Sequence, residues 1–231
     1  MFNLATEQFS RASINGYIEY SYDIEDACYT FMKGEHYFLG GYENPRAIAK
    51  FNMNACEVKP GTGWDDVLPI GHMDGVYGSC ANYNDVTYLC FDEDGVDAYG
   101  CSVFDGEDQK LLDAKSQHPH DWAAMTVYDD KMWVVGGCDP LTYDCNGIVE
   151  FFDGNSWNLA AHHPAEEISG HLLLADANAL YTIAGRRMSQ DVYMFKDNTW
   201  TLIGQLTENA ADSWWISSGK IIGDYAYLGE E

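Results

Sequence analysis

A unit that recurs every 45 to 50 residues constrains this chain more than any other feature. In its fullest copy a β-segment from Met125 reaches a turn at Asp129-Asp130-Lys131. An apolar segment, Met132 to Val135, then stops at Gly136-Gly137. After a loop, a third segment ends at Asp153-Gly154 and a fourth starts at Trp157. Short runs rich in Val, Trp, Tyr and Phe, bounded by Gly, Asn and Asp, are the pattern of strands joined by hairpins. The residue closing the second strand serves as a ruler: Gly40, Cys90, Gly136, Ala184 and Gly229, in steps of 50, 46, 48 and 45 residues. Third-strand phenylalanines follow in step at Phe51, Phe104, Phe152 and Phe195.

A near-constant period with four strands per copy predicts an all-β fold, a β-propeller of four-stranded antiparallel blades. The competing arrangement is a sandwich or several small β domains. The whole chain, 1–231, reads as one domain, with full blades over 27–77, 78–122, 123–168 and 169–212. Residues 1–26 hold an expected hairpin around Asn15-Gly16, between Gln8–Ile14 and Tyr17–Tyr22. Residues 213–231 supply two further strands, Trp215–Ser218 and Tyr225–Gly229. Pairing these outer N-terminal strands with the inner C-terminal ones gives five blades and removes two open sheet edges. The rival organisation is a piece of a six- or seven-bladed ring.

These residues resemble the kelch repeat, whose signature is a Gly-Gly pair closing the second strand, a later aromatic, and a Trp opening the fourth strand. Gly40-Gly41 and Gly136-Gly137 match the pair, and Ala184-Gly185 matches half of it. Phe152/Trp157 and Phe195/Trp200 match the aromatics, and His171 resembles the residue that opens a first strand. The second copy departs, with Cys90-Phe91 in place of the glycines and no Trp. The resemblance implies a propeller whose usual role is protein binding.

Charge narrows the partners. The formal net charge of −25 disfavours nucleic acid and anionic membrane, both of which need basic surface. No apolar run is long enough to cross a bilayer as a helix, and the first 25 residues show no signal peptide. Of seven cysteines, Cys90/Cys101 and Cys138/Cys145 bracket equivalent loops in successive blades, and these are the expected disulfides. Cys28 and Cys80 open two first strands, Cys56 lies farther out, and a Cys56–Cys80 link stays open as a possibility. Loop disulfides point to an extracellular setting, with a cytoplasmic one as the alternative.

In a meander, second-to-third loops and inter-blade links share one face. That face gathers Glu25, Asp26, Glu43, Asp74, Asp121, Asp144, Glu166, Glu167 and Asp212, whereas Lys33, Lys110, Lys131, Lys196 and Lys220 are assigned to the opposite turns. The expected partner-binding residues are Tyr42, Asp92, Asp94, Asp97, Tyr99, Trp122, Asp139, Tyr143, Arg186, Arg187 and Trp214. Acidic loops carrying aromatic anchors suit a protein partner, a basic one above all, or weak divalent-cation binding. Asp92-Glu-Asp-Gly-Val-Asp97 resembles half a calcium loop but lacks its closing glutamate, so no metal site is assigned.

No cofactor motif, nucleophile elbow or phosphate loop occurs. His118, His120, His162, His163 and His171 gather near two blade junctions with Asp121 and Glu166, and no catalytic residue is assigned. The expectation is an interaction module. A propeller glycoside hydrolase or lyase and a structural matrix component are the alternatives.

Overall fold

The structure is a computed structural model that describes residues 2–3, 8–9, 28–39, 47–51, 65–69, 79–91, 98–186, 190–206, 218–223 and 225–229. Four four-stranded antiparallel meanders follow one another. The first comprises β3 (Cys28–Met32), β4 (Glu35–Leu39), β5 (Ala47–Phe51) and β6 (Asp65–Pro69). The second comprises β7 (Ser79–Tyr83), β8 (Val86–Cys90), β9 (Cys101–Phe104) and β10 (Gln109–Leu111). The third comprises β11 (Ala124–Tyr128), β12 (Lys131–Val135), β13 (Val149–Phe152) and β14 (Trp157–Leu159). The fourth comprises β15 (Leu172–Ala175), β16 (Leu180–Ile183), β17 (Asp191–Lys196) and β18 (Thr199–Gln205). A fifth sheet pairs β19 (Ser218–Ile222) with β20 (Tyr225–Gly229), and β1 (Phe2–Asn3) pairs with β2 (Gln8–Phe9).

The first hairpins of the first three meanders turn through two residues with positive φ, Lys33-Gly34, Asn84-Asp85 and Asp129-Asp130. Such turns match the right-handed twist of the flanking strands, and Asn, Asp and Gly tolerate that backbone. The third-strand phenylalanines hold one register: Phe51 faces His36, Phe104 faces Thr87, Phe152 faces Met132 and Phe195 faces Leu180. Trp157 and Trp200 stand directly across from Phe152 and Phe195, with ring centroids 5.6 and 4.9 Å apart. The aromatic pair is therefore one cross-strand contact made twice.

The meanders do not fold into two facing layers. Alternate residues of a strand point to opposite sides of its sheet, and the second strands β8, β12 and β16 each feed two cores. Met132 and Val134 pack with Tyr88, Cys90, Phe91 and Phe152 between the second and third sheets. Trp133 and Val135 pack with Leu173, Leu180 and Phe195 between the third and fourth. Leu39, Leu89 and Phe104 join the first sheet to the second, and Leu174, Ile183 and Ile221 join the fourth to the fifth. First strands adjoin in series, β3 to β7, β7 to β11, β11 to β15 and β15 to β19. Serial sheets with adjacent first strands form a propeller-like arrangement.

Polar contacts repeat at the junctions. Tyr83 donates its hydroxyl to the Asp130 carbonyl and Tyr128 donates to that of Asn178, each at 2.9 Å, tying the end of a first strand to the next sheet's turn. Ser79 donates to the Ala123 carbonyl. Thr30 and Thr87, from adjoining sheets, both donate to Asn82 Oδ1.

Several sequence expectations need correction. The ruler slips by one residue in the second and fifth copies. Cys90 and Gly229 are the last residues of their strands, paired with Ser79 and Ser218. Gly136 and Ala184 lie one residue beyond theirs. Phe91, not Cys90, is the counterpart of Gly136, and it shares the left-handed backbone, φ +63° against +65°. Cys80 bonds Cys28 across two adjoining first strands, which removes the Cys56–Cys80 alternative. Cys90–Cys101 and Cys138–Cys145 pair as expected. Lys110 and Lys220 sit within β10 and β19 rather than in turns. The Asn15-Gly16 hairpin, Gly40-Gly41 and Cys56 lie outside the described residues, and among those residues no pairing joins β1–β2 to the fifth sheet.

Gly136 tests the junction. A Cβ there would lie 2.4 Å from both Cγ2 and the carbonyl oxygen of Ile168, at φ +65°. At Gly34 (φ +82°) a Cβ meets nothing within 4 Å. Gly34→Ala is expected to cost only the left-handed backbone penalty of about 1–2 kcal/mol. Gly136→Ala should cost at least about 2 kcal/mol more, because the fourth sheet's entry must move. Denaturant unfolding of both variants checks this, and equal losses would contradict the close passage.

Candidate functional site

Loop-face segments from the third and fourth sheets meet in a cleft of about 210 Å³ lined by Trp122, Tyr143, Cys145, Glu167, Ser169 and Arg186. Its floor is a chain of backbone bridges. Asp121 and Cys138 exchange N–H···O bonds of 3.1 and 2.6 Å, and Cys138 also bridges to Cys145. The Gly170 N–H donates to the Trp122 carbonyl at 3.0 Å, and the Arg186 N–H donates to that of Ser169 at 2.9 Å. Two inter-sheet links, the β12–β13 loop and the β16–β17 loop are thereby held together at one place.

The aromatic walls depend on unusual backbone. Trp122 and Tyr143 have φ of +58° and +59°, and their ring centroids lie 6.3 Å apart. Non-glycine residues held in this region cost roughly 1–2 kcal/mol each, and such positions concentrate at ligand clamps and active sites. The loop beneath Tyr143 is shaped by Asp139, whose Oδ1 accepts the N–H groups of Leu141 (2.8 Å) and Thr142 (3.3 Å). The Tyr143 N–H closes the turn on the Asp139 carbonyl at 2.7 Å.

Three of the expected face residues, Trp122, Tyr143 and Arg186, thus line one cleft. Asp139 shapes the loop rather than lining it, and Tyr99 stands exposed on the second sheet's loop, outside the lining. Tyr42, Asp92, Asp94, Asp97, Arg187 and Trp214 lie outside the described residues. Cys145 and Ser169 were not foreseen as lining groups. Ser169 carries only a generic loop signal, whereas Cys145 was legible from its place inside an expected loop disulfide.

The histidine cluster is organised differently from the sequence expectation. His118 and His120 bond to the fully buried Glu150 on β13: His118 Nδ1 to Oε1 and His120 Nε2 to Oε2, each at 3.2 Å. The Gln117 N–H donates to both carboxylate oxygens, at 3.0 and 3.1 Å. His120 Nδ1 lies 2.6 Å from the Gly136 carbonyl, which can only accept, so that nitrogen carries a proton. Nε2 and Oε2 must then share a second proton, and the pair is a closed, satisfied unit. Burial pushes the Glu150 carboxyl up, but the bond and charge of His120, the His118 bond and the Gln117 N–H outweigh it and hold Glu150 below the ordinary carboxylate range. The unit clamps the link that ends at Trp122. Among the described residues no group of three or more His, Cys, Asp or Glu side chains is placed to hold a metal ion.

No protein-family model and no curated protein sequence matches this chain. Among solved structures, that of YjhT, a propeller-type protein, matches 88% of this chain and 71% of its own, with a TM-score of 0.68 at 12% identity. At that identity the likeness concerns the fold. Together with the serial sheets it supports an all-β, propeller-type architecture.

Buried histidines at the next junction set the acid response. Burial lowers His163 to about 4 and His171 to about 3. The unfolded chain binds protons at these positions below about pH 6.5, while the folded chain does not until the lowered values are reached. Stability is therefore lost as pH falls from about 6.5, by up to about 1.4 kcal/mol per pH unit for each histidine. The Glu150 contribution has the same sign at lower pH: present above the carboxylate range and lost on falling through it. His171→Leu is expected to flatten the stability–pH curve between about pH 6.5 and 4. Urea midpoints across that range check it, and an unchanged slope would contradict the assignment.

Proposed function

We propose that this chain is a kelch-like β-propeller that acts as an extracellular interaction module, taking a basic partner protein on its loop face. The observation that carries the reading is the convergence of Trp122, Tyr143 and Arg186, from three separate segments, in one cleft. Aromatic and arginine side chains in partly enclosed clefts are the usual anchors of protein interfaces. Around the cleft stand Asp139, Asp144, Glu166 and Glu167, set in a chain of net charge −25, so the surrounding field favours a cationic partner. Three disulfides support an oxidising compartment. The module works by binding rather than by catalysis.

The reading includes a five-bladed closed ring. Tyr29 and Phe31 on β3, at one end of the array, are exposed, as are Ile222, Tyr225 and Tyr227 on the fifth sheet at the other. Closure sets these two ends of the array against each other and removes two open sheet edges.

Hexa-arginine serves as the probe, with tryptophan fluorescence as the readout. Its affinity is expected to fall steeply with salt and to drop about tenfold in Trp122→Ala, as for loss of an interface anchor. A control change on the opposite face, Glu107→Gln, should leave it unchanged. Salt-independent affinity, or an undisturbed Trp122→Ala, would contradict the reading.

A further inference from the structure

The three disulfides differ in what a small reductant meets. Cys90 and Cys101 are both fully buried. Cys28 is buried and its partner Cys80, although partly exposed, packs against the core between the first two sheets and lies outside the cleft. Cys138 is fully buried, but its partner Cys145 is partly exposed and forms part of the cleft lining. We propose that Cys138–Cys145 is a thiol-exchange site, attacked at Cys145 through the cleft by a dithiol reductant, and that its opening loosens the Tyr143 wall.

The surroundings of Cys145 favour exchange. Arg186 lines the same cleft, and a guanidinium there assists an approaching thiolate and the thiolate released, while Glu167 opposes it in part. Once freed, the Cys145 thiol has acceptors in place, because Ser169 Oγ lies 3.8 Å and the Tyr143 carbonyl 3.9 Å from its sulfur. A reduced form with ready partners and an oxidised form open to attack together mark a reducible bond.

The step balances. A thiolate of the dithiol bonds to Cys145 Sγ, the Sγ–Sγ bond to Cys138 breaks, and Cys138 leaves as a thiolate that takes a proton. The second thiol of the reductant then displaces Cys145, which is also protonated. The protein gains two electrons and two protons, and the reductant becomes a cyclic disulfide.

Opening reaches the cleft through one loop. Only six residues, Asp139–Asp144, lie between the two cysteines, and Tyr143 is among them in its left-handed conformation. Without the cross-link the loop keeps its turn bonds, Tyr143 N–H to the Asp139 carbonyl and Asp139 N–H to that of Asp144. It loses the covalent tie to Cys138 that fixes that turn beside Trp122. This regulation rests on the partner-binding reading of the same cleft, whereas the exchange itself does not.

The test separates the two. The native chain is exposed to rising dithiothreitol, quenched with N-ethylmaleimide and peptide-mapped. Cys138 and Cys145 should be labelled about tenfold or more ahead of the other four half-cystines. Opening of Cys28–Cys80 or Cys90–Cys101 at the same rate, or no opening before the fold is lost by circular dichroism, would overturn the proposal. Hexa-arginine binding is then compared in oxidised chain, in chain held selectively reduced, and in the Cys138→Ser/Cys145→Ser variant. Weaker binding in the latter two, by roughly threefold or more, supports the regulation, and equal binding overturns it. Should oxidised chain not bind hexa-arginine while selective labelling stands, the partner reading fails and the exchange site does not.

Discussion

Everything in this fold passes through the point where an inter-sheet link crosses the end of a second strand. In the third sheet, Gly136 and Gly137 lie against Ile168 of the outgoing link and His120–Asp121 of the incoming one. Three successive amides, of Gly136, Gly137 and Cys138, donate to the carbonyls of Ile148, Ile168 and Asp121. One short stretch of backbone thus fixes its own third strand and both neighbouring links. In the fourth sheet the same work falls to Ala184-Gly185, where a Cβ on Gly185 would stand 2.5 Å from that of His171. The second sheet uses Phe91, fully buried and left-handed, with its ring 5.0 Å from His120 and 5.7 Å from Trp157. Burying a phenylalanine is worth about 1.5–3 kcal/mol, enough to offset a left-handed penalty of about 1–2 kcal/mol. The position demands a backbone conformation, and glycine is only one way to supply it.

That distinction explains how much of the architecture was legible. The period, the four-strand copy, the hairpin turns and the Phe–Trp pairs all come from local chemistry repeated at fixed spacing, and the strands follow them. Counting from the closing residue misplaced the strand end by one at Cys90 and at Gly229, whereas the half pair Ala184-Gly185 placed it correctly. The Cys28–Cys80 bond joins neighbouring sheets, and no spacing within one copy encodes it.

The cleft was legible for a different reason. Trp122, Tyr143 and Arg186 sit in loops that a meander must place on one face, so topology alone predicted their side of the molecule. That they converge depends on bridges such as Asp121–Cys138 and Ser169–Arg186, which no pattern announces. Glu150 was missed because it lies inside a strand, between Val149 and Phe151, at a site that elsewhere holds Ser102 or Tyr193. A lone carboxylate in an apolar strand is the signal that could have drawn His118 and His120 to it rather than to Asp121 and Glu166. The pairing is consequential, since it clamps the link whose next turn carries Trp122.

Native-state hydrogen exchange at Gly136, Gly137 and Cys138 tests the crossing most directly. If the links are anchored there, these three amides exchange only with global unfolding, as slowly as those of β12. Fast exchange at these amides with β12 still protected would mean that the links pass elsewhere, and both the serial stacking and the cleft built upon it would have to be abandoned.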